Sequence, residues 1–190
     1  PLLPLDGTYT LLVEGRVGTS APQTLSFRVV DMADSTTALT IGETVSGTIA
    51  APGTKARYTF SVSDPQYLIF DSLINTTQIA WTLTGPSGTI LSRHFQNADA
   101  HSGASPGAIF FEPGDYAITV DANDDLTGDF AFRLLDLALA SDLVLNAPTT
   151  GRLEPGNSSN LYKFTGAVGD EIYFDFISSP GSGQWRLFDP

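Results

Sequence analysis

The sequence predicts an all-β protein with the architecture of a jelly-roll-like antiparallel β-sandwich, repeated in tandem along the chain. Short runs alternate apolar and polar residues with a period of two, which is typical of half-buried strands. The 18 glycines and 12 prolines interrupt these runs at close intervals and leave little chain for long helices. Several segments also recur about 104 residues further along, which indicates tandem copies.

The alternating runs predict the strands of a central unit in chain order. Residues 58–62 place Tyr, Phe and Val at every second position, and residues 79–83, 116–120 and 130–134 alternate in the same way. Residues 68–70 are apolar throughout, which predicts a strand that is covered on both faces. About eight short strands of this kind are typical of a sandwich or jelly roll. Turn signals separate them at Pro52-Gly53, Gly85-Pro86-Ser87-Gly88, Pro113-Gly114-Asp115 and Thr127-Gly128-Asp129.

The repeats are ordered matches at nearly one spacing. Gly47, Tyr58 and Trp81 recur 104 residues later as Gly151, Tyr162 and Trp185. Leu68-Ile69-Phe70-Asp71 recurs at the same spacing as Ile172-Tyr173-Phe174-Asp175. Tyr9 recurs as Tyr116 after 107 residues and Phe27 as Phe132 after 105 residues. Loop insertions between fixed strands produce such a drift in spacing.

The spacing predicts three parts. Residues 1–35 form the closing strands of a preceding repeat, residues 36–138 form a complete sandwich, and residues 139–190 form the opening strands of a following repeat. The chain begins without Met or a signal-peptide pattern, so we expect it to be part of a longer protein. Residues 134–145 have some helical character, but we interpret them as strand, linker and strand, because their counterpart at 29–41 has no helical period.

Composition limits the classes of partner. Hydrophobic residues make up 42% of the chain, enough for a buried core. The net charge of −12 disfavours nucleic acid, which is bound by clustered Lys and Arg. No apolar run approaches the roughly 18 residues of a membrane-spanning helix, so we expect no membrane insertion. The absence of cysteine excludes disulfides and thiolate metal sites.

The strand motifs resemble a known family. The sequence has a Tyr-x-Phe strand at 58–60, a Leu-x-x-Pro-x-Gly hairpin at 83–88, a Pro-Gly-x-Tyr strand entry at 113–116 and a final Gly-x-Phe strand at 128–130. This pattern resembles the bacterial pre-peptidase C-terminal domain family, in which the last motif usually carries Tyr where Phe130 stands. The resemblance implies a jelly-roll-like, generally non-catalytic domain that accompanies secreted proteases or is strung in tandem in large surface proteins.

One acidic cluster lies in a predicted hairpin between the strands that end at Val120 and begin near Phe130. Grouped oxygen ligands on a loop suit Ca²⁺, which takes six to eight hard oxygens. The segment is not an EF-hand, because Leu126 occupies the glycine position and Phe132 the position of the bidentate Glu. The alternative interpretation is a polar turn. The candidate calcium ligands are Asp121, Asn123, Asp124, Asp125 and Asp129.

No catalytic motif is present, so we predict that the chain is not an enzyme. His94 and His101 have no standard metal-ligand spacing, and there is no Gly-x-Ser-x-Gly elbow. Four aromatic residues could form a sugar-stacking platform, but a core position that repeats explains the two tryptophans better. These aromatic residues are Tyr67, Trp81, Tyr173 and Trp185.

These observations favour a structural or adhesive repeat module of a large exported bacterial protein, located outside the cell or on its surface. Its expected partners are neighbouring repeats, and residues 139–190 could pair with residues 1–35 of another copy by strand complementation into a filament. Arg28 with Asp31 and Arg133 with Asp136 recur, and we interpret them as contacts at the junction between repeats. The alternative function is a carbohydrate- or ligand-binding accessory module attached to a secreted enzyme, which exposed loop aromatics would support and burial of Trp81 would oppose.

Overall fold

The computed structural model describes residues 5–29, 34–98, 107–178 and 183–189. The chain divides into two compact units, Pro1–Asp31 and Met32–Pro190. The described residues contain no α-helix, and their strands form two main sheets between Ser35 and Asp136. The predicted all-β sandwich is therefore confirmed. None of the described helical turns is long or apolar enough to cross a membrane.

Nine strands make up the sandwich in the part of the chain that the structure describes. A first 3₁₀ turn (Phe95–Asn97) follows the sixth strand, and a second (Leu137–Leu139) follows the ninth. The strands are β1 (Ser35–Ala38), β2 (Val45–Ile49), β3 (Lys55–Val62), β4 (Gln66–Ser72), β5 (Ile79–Gly85), β6 (Gly88–His94), β7 (Ile109–Phe111), β8 (Gly114–Ala122) and β9 (Gly128–Asp136).

The topology is that of a jelly roll with one added strand. One sheet has the order β1-β3-β8-β5-β6 and the other the order β2-β9-β4-β7. Every connection from β2 to β9 passes to the other sheet, except the β5–β6 hairpin. Within these two sheets, all neighbouring strands are antiparallel apart from β1, which lies parallel to β3. The strands β8 and β9 thus lie inside their sheets, and each has two strand neighbours.

The core fills the space between the two sheets. As the alternation predicted, the inward side chains of β3, β5, β8 and β9 are buried at every second position. At the centre, the ring of Phe70 lies between Trp81, at 3.9 Å between centroids, and Phe132, at 4.9 Å. Both pairs of rings are nearly parallel. This stack joins β5 of one sheet to β4 and β9 of the other.

The acidic loop between β8 and β9 does not close a hairpin, and that prediction is wrong. The strand β8 pairs with β3 and β5, whereas β9 pairs with β2 and β4 in the opposite sheet. Each strand already has two neighbours, so the two cannot also pair with each other. The loop therefore crosses from one sheet to the other.

Residues 141–189 contain two short strands in the part that the structure describes. These strands, β10 (Ser141–Asp142) and β11 (Tyr162–Lys163), are parallel, and Ser141 lies opposite Tyr162. The pairing of β1 with β3 places Thr37 opposite Tyr58, so the same register recurs 104 residues later. The aromatic rings of Phe174 and Trp185 also lie in contact, at 5.6 Å between centroids.

The first compact unit has no strand between residues 5 and 29. The hydroxyl of Tyr9 donates a hydrogen bond to the carbonyl of Leu5 at 2.6 Å. The apolar side chains of Leu11, Val13 and Phe27 are exposed. The proposed boundaries at residues 35 and 138 stay a prediction, although every strand of the sandwich lies between Ser35 and Asp136.

Candidate functional site

The outer face of the four-stranded sheet carries a buried charge. Along β4, Leu68 and Phe70 belong to the core, so the alternation of a strand directs Ile69 and Asp71 to the outer face. Asp71 is nevertheless 0% exposed. Its neighbour across the sheet is Arg133 of β9. The guanidinium Nε donates to Asp71 Oδ2 at 2.9 Å, and Nη2 donates to the same oxygen.

Residues that follow the sandwich cover this face. The Nη2 group of Arg133 also donates to the backbone carbonyl of Ser159 at 3.1 Å. The side-chain amide of Asn157 donates to the carbonyl of Ser72 at 2.9 Å, and Ser158 between them is buried. We call this set of five residues the junction: Asp71, Ser72, Arg133, Asn157 and Ser159.

The second 3₁₀ turn directs the chain over β4. The carboxylate of Asp136 caps this turn by accepting a hydrogen bond from the backbone N–H of Ala138 at 2.8 Å. The turn packs against β4, and Ile69 is buried on that outer face. The prediction that residues 68–70 are covered on both faces is confirmed, because residues from beyond the sandwich supply the second cover.

The junction depends on Arg133 for electrostatic reasons. A carboxylate removed from water is costly unless it is paired and hydrogen-bonded. Both hydrogen bonds from Arg133 reach Asp71 Oδ2, while Oδ1 of the same carboxylate has no hydrogen-bond partner. Arg133 is thus the group that compensates the buried charge of Asp71. The same side chain holds the covering segment through Ser159.

The sequence indicated part of this site. Arg133 was expected at a junction between repeats, and it does contact the following segment. Its partner Asp71, 62 residues away, was not foreseen. A signal was present, since Asp71 interrupts an apolar run and recurs as Asp175. Asp136 serves as a turn cap, and Asp31 and His101 lie outside the described residues.

The candidate calcium ligands contact different groups of the protein instead of converging on one point. Asp121 forms an ion pair with Lys55 at 2.6 Å, and Asp129 accepts a hydrogen bond from the hydroxyl of Thr48 at 2.6 Å. The side-chain amide nitrogen of Asn123 donates a hydrogen bond to the backbone carbonyl oxygen of Thr77 at 2.8 Å.

The conformation of the loop is that of a turn. Asp124 has a φ of 51°, a left-handed conformation that Asp tolerates in turns, and Asp125 follows it. Within the described ranges, no three acidic or histidine side chains are grouped as a metal site. The arrangement favours the polar-turn interpretation, and calcium binding by Asp121, Asn123, Asp124, Asp125 and Asp129 stays a prediction.

The aromatic residues do not form one platform. Trp81 is 1% exposed and stacked in the core, which removes it from any sugar-binding surface. Tyr67 is exposed on β4 beside Phe110, whereas Tyr173 and Trp185 belong to the later segment. Burial of Trp81 opposes the carbohydrate-binding alternative.

Each of two surface depressions contains a carboxylate that accepts a hydrogen bond from a neighbouring hydroxyl. One, of about 520 Å³, lies along β2 and β9 and contains Asp129, which is bonded to Thr48. The other, of about 570 Å³, contains Asp115, whose carboxylate accepts from the hydroxyl of Ser61 at 2.6 Å. Neither depression brings together a nucleophile, a base and an orienting group, which covalent catalysis needs.

No family model and no curated protein matches the sequence. Among solved structures, the chain is similar to the pre-peptidase C-terminal domain of a collagenase from Bacillus anthracis. The identity is 16% and the TM-score 0.40, over 56% of this chain and 99% of that one. A pre-peptidase C-terminal domain is thus among the structures that the chain resembles, as its motifs predicted.

The chain is also similar to two proteins described as PliG, a periplasmic lysozyme inhibitor of g-type lysozyme. The Aeromonas hydrophila protein is 13% identical with a TM-score of 0.38, over 54% of this chain and 99% of that one. The Salmonella Typhimurium protein is 15% identical with a TM-score of 0.38, over 53% of this chain and 98% of that one.

Proposed function

We propose that the chain is a non-catalytic structural module of a large exported bacterial protein, in which each sandwich holds the next through the junction. The observation that carries the proposal is the position of Arg133. Its guanidinium both neutralises the buried Asp71 of the sandwich and binds the backbone of the following segment at Ser159. The proposed role is to extend and space other parts of a protein outside the cell or on its surface.

The structure of the junction suits a spacer. A linker between domains is usually exposed, and relative motion of the domains is then expected. Here the linker segment is bonded to the sheet at two points, Asn157 to Ser72 and Ser159 to Arg133. Bending at this point would break these two hydrogen bonds, each of which contributes about 1 kcal/mol, so they oppose it.

The interior and surface of the sandwich support the same proposal. The space between the sheets is occupied by large side chains such as Phe70, Trp81 and Phe132, which leaves no room for a buried ligand at the centre. The net charge of −12 favours solubility and repels similar copies except where specific contacts form.

Hydrogen exchange of the full chain tests the role of the junction. The backbone N–H of Ser158 bonds to the carbonyl of Pro155, and that of Leu143 bonds to the carbonyl of Lys163. We expect Asn157→Ala and Arg133→Lys to speed exchange at these amides about fivefold or more, since each removes about 1 kcal/mol of hydrogen bonding. Exchange in β3 and β8 should change much less.

Arg152→Lys is the matched control. Arg152 lies in the same segment, but its ion pair with Glu154 is exposed and outside the junction. Its replacement should leave exchange at Ser158 and Leu143 unchanged. If the two junction variants exchange no faster than this control, Arg133 and Asn157 do not fix the following segment and the proposal fails.

A further inference from the structure

The outer face of the five-stranded sheet has small side chains at its centre. Strand alternation directs every second residue of its strands away from the core. One row of outward positions crosses all five strands, and its members lie opposite one another. The row is Ala38, Thr59, Ala117, Thr84 and Thr89. The depression of about 570 Å³ lies along this row, so the face can accept a side chain from another surface.

Two charged residues of opposite sign border this depression on its two sides. Arg57 precedes Thr59 by two residues along β3 and lies opposite Thr119. Asp115 lies on the other side of the row, opposite Ser61. Because residues 57 and 61 are four positions apart on one strand, the two charges are separated by about 13 Å along the strand direction.

Neither charge is compensated within the sandwich. Lys55 and Arg133 each form an ion pair with an aspartate. Arg57 is exposed and forms no ion pair or side-chain hydrogen bond among the described residues. Asp115 is also exposed, and the hydrogen bond that it accepts comes from the neutral hydroxyl of Ser61. The face therefore offers one guanidinium and one carboxylate to a partner.

The two charges are not required by the fold of a repeat. The tyrosines next to them in the sequence recur in the other repeats, because they belong to the core. Arg57 and Asp115 do not recur, since the corresponding positions carry Leu161 and Thr8. The pair of charges is thus a property of the central unit, and a partner that fits it is specific to this unit.

The junction leaves this face accessible. Residues 157–159 bond to Arg133 and Ser72 at the four-stranded sheet, on its outer face. The outer faces of the two sheets lie on opposite sides of the sandwich. A partner can therefore bind the five-stranded sheet without displacing the contacts of the junction.

We propose that the outer face of the five-stranded sheet binds the same face of a second copy, with Arg57 of each copy against Asp115 of the other. This pairing goes beyond the proposed spacer function, because it links separate chains. A two-fold axis that lies along the row of Thr59 exchanges the two sides of the depression. Each guanidinium then enters the partner's depression beside Asp115, and the two contacts are equivalent, as in other two-fold interfaces.

Charge and area both fit a second copy. The net charge of −12 repels copies except where opposite charges meet, and this face supplies two such meetings. A guanidinium also binds a carboxylate through two parallel hydrogen bonds. Five strands give a face about 24 Å wide and about 20 Å long, so the pair covers about 1,000 Å² in total. This area is at the lower limit of specific interfaces, so we expect a reversible dimer.

Charge substitutions test the contact in the full chain. Arg57→Asp places two aspartates against each other, and Asp115→Arg places two arginines against each other. In sedimentation velocity we expect the unmodified chain to dimerise with rising concentration and each variant to bind itself at least about tenfold more weakly. A mixture of the two variants restores opposite charges at both contacts, so we expect it to dimerise again.

Arg152→Asp is the matched control for the change in net charge. Arg152 is exposed in the segment that follows the sandwich, outside the five-stranded sheet. Its replacement changes the net charge by the same amount as Arg57→Asp and should leave dimerisation of the chain unchanged.

A cysteine on the proposed axis tests the geometry, since the chain has no native cysteine. The axis brings Thr59 of the two copies together, so Thr59→Cys should form disulfide dimers about tenfold or more faster than Ser46→Cys. Ser46 is the matched control because it is exposed on β2, in the other sheet. Adding Arg57→Asp to Thr59→Cys should remove this advantage.

Three results would overturn the proposal. One is an unmodified chain that stays monomeric up to about 1 mM. Another is a mixture of the Arg57→Asp and Asp115→Arg chains that dimerises no more than either variant alone. The third is equal disulfide formation by Thr59→Cys and Ser46→Cys.

A separate measurement distinguishes loss of the dimer from loss of the fold or of the spacer function. Near-ultraviolet circular dichroism reports the stacked ring of Trp81 and checks that each variant keeps its core. The exchange experiment on Arg133 and Asn157 measures the junction on the opposite side of the sandwich. A dimer that fails while exchange at the junction is unchanged removes this proposal and leaves the spacer function standing.

Discussion

The central sandwich and residues 141–189 carry similar sequences in different structural states. Trp81 is 1% exposed in the sandwich, whereas its counterpart Trp185 is 58% exposed. The strand β3 has eight residues, whereas its counterpart β11 has two. Both regions have the apolar alternation of strands, but within the described residues only the sandwich pairs these runs along their length. The comparison teaches that alternation alone does not form a strand, which also needs backbone partners in a sheet.

The largest expected difference between the two regions concerns the tryptophans. Trp81→Ala removes the ring that stacks on Phe70 and should lower the free energy of unfolding of the sandwich by about 3–5 kcal/mol. Trp185→Ala at the exposed counterpart should lower it by less than about 0.5 kcal/mol. Urea unfolding followed by circular dichroism, at a concentration where the chain is monomeric, measures both. Equal losses would mean that residues 141–189 are as tightly packed as the sandwich.

A smaller difference in stability is expected between alanine substitutions at Gly47 and at its counterpart Gly151. A Cβ on Gly47 would collide with the buried ring of Phe130 as well as approach the hydroxyl of Tyr58. Gly47→Ala should therefore cost about 1–3 kcal/mol, as overpacking does. Gly151→Ala meets Tyr162, which is partly exposed and has room to move, so its cost should be below about 0.5 kcal/mol. The same urea series distinguishes the two, and a large loss from Gly151→Ala would contradict the comparison.

The smallest effect is a pH dependence of the sandwich at Tyr58. Burial raises the pKa of this phenol above its ordinary value of 10.0, because the charged phenolate is disfavoured away from water. The folded state therefore holds the proton more tightly than the unfolded state. The resulting stability is fully present below about pH 10 and is lost as the pH rises through the folded-state pKa.

The midpoint of thermal unfolding, measured between pH 8 and pH 11, tests this loss of stability. Tyr58→Phe should make the fall in midpoint above about pH 10 shallower, because the titrating group is gone. Tyr173→Phe, at an exposed position, is the control for removal of a tyrosine hydroxyl and should keep the original profile. Identical profiles for the Tyr58→Phe variant and the unmodified chain would show that Tyr58 contributes nothing to this dependence.

The acidic loop shows where reasoning from the sequence was wrong. Residues Asp121 to Asp129 are close in the chain, so they resembled both a hairpin and a ligand cluster. In the structure the loop crosses between sheets, and its two ends face different partners, Lys55 and Thr48. Sequence proximity does not set the direction of side chains, since that direction depends on which strands lie beside each end of the loop.

The sequence by itself indicated where the strands of the sandwich lie and which segments recur. The period of two at residues such as Tyr58, Phe60 and Val62 depends on neighbours along the chain, so it is readable without a structure. The match between Tyr58 and Tyr162 can be read from the sequence in the same way. The register of β11 against β10 agrees with this match, because it repeats that of β3 against β1.

Only the tertiary structure decided which distant residues meet. The pairing of Asp71 with Arg133 spans 62 residues and exists because β4 and β9 are neighbours in a sheet whose connections cross the sandwich. The partner of Asp71 and the neighbouring Ser72 are further bonded to Ser159 and Asn157, which lie outside the strands. A buried charge is stable only where such a partner is present. The junction is therefore a property of the folded chain, although both of its charged residues recur in the sequence.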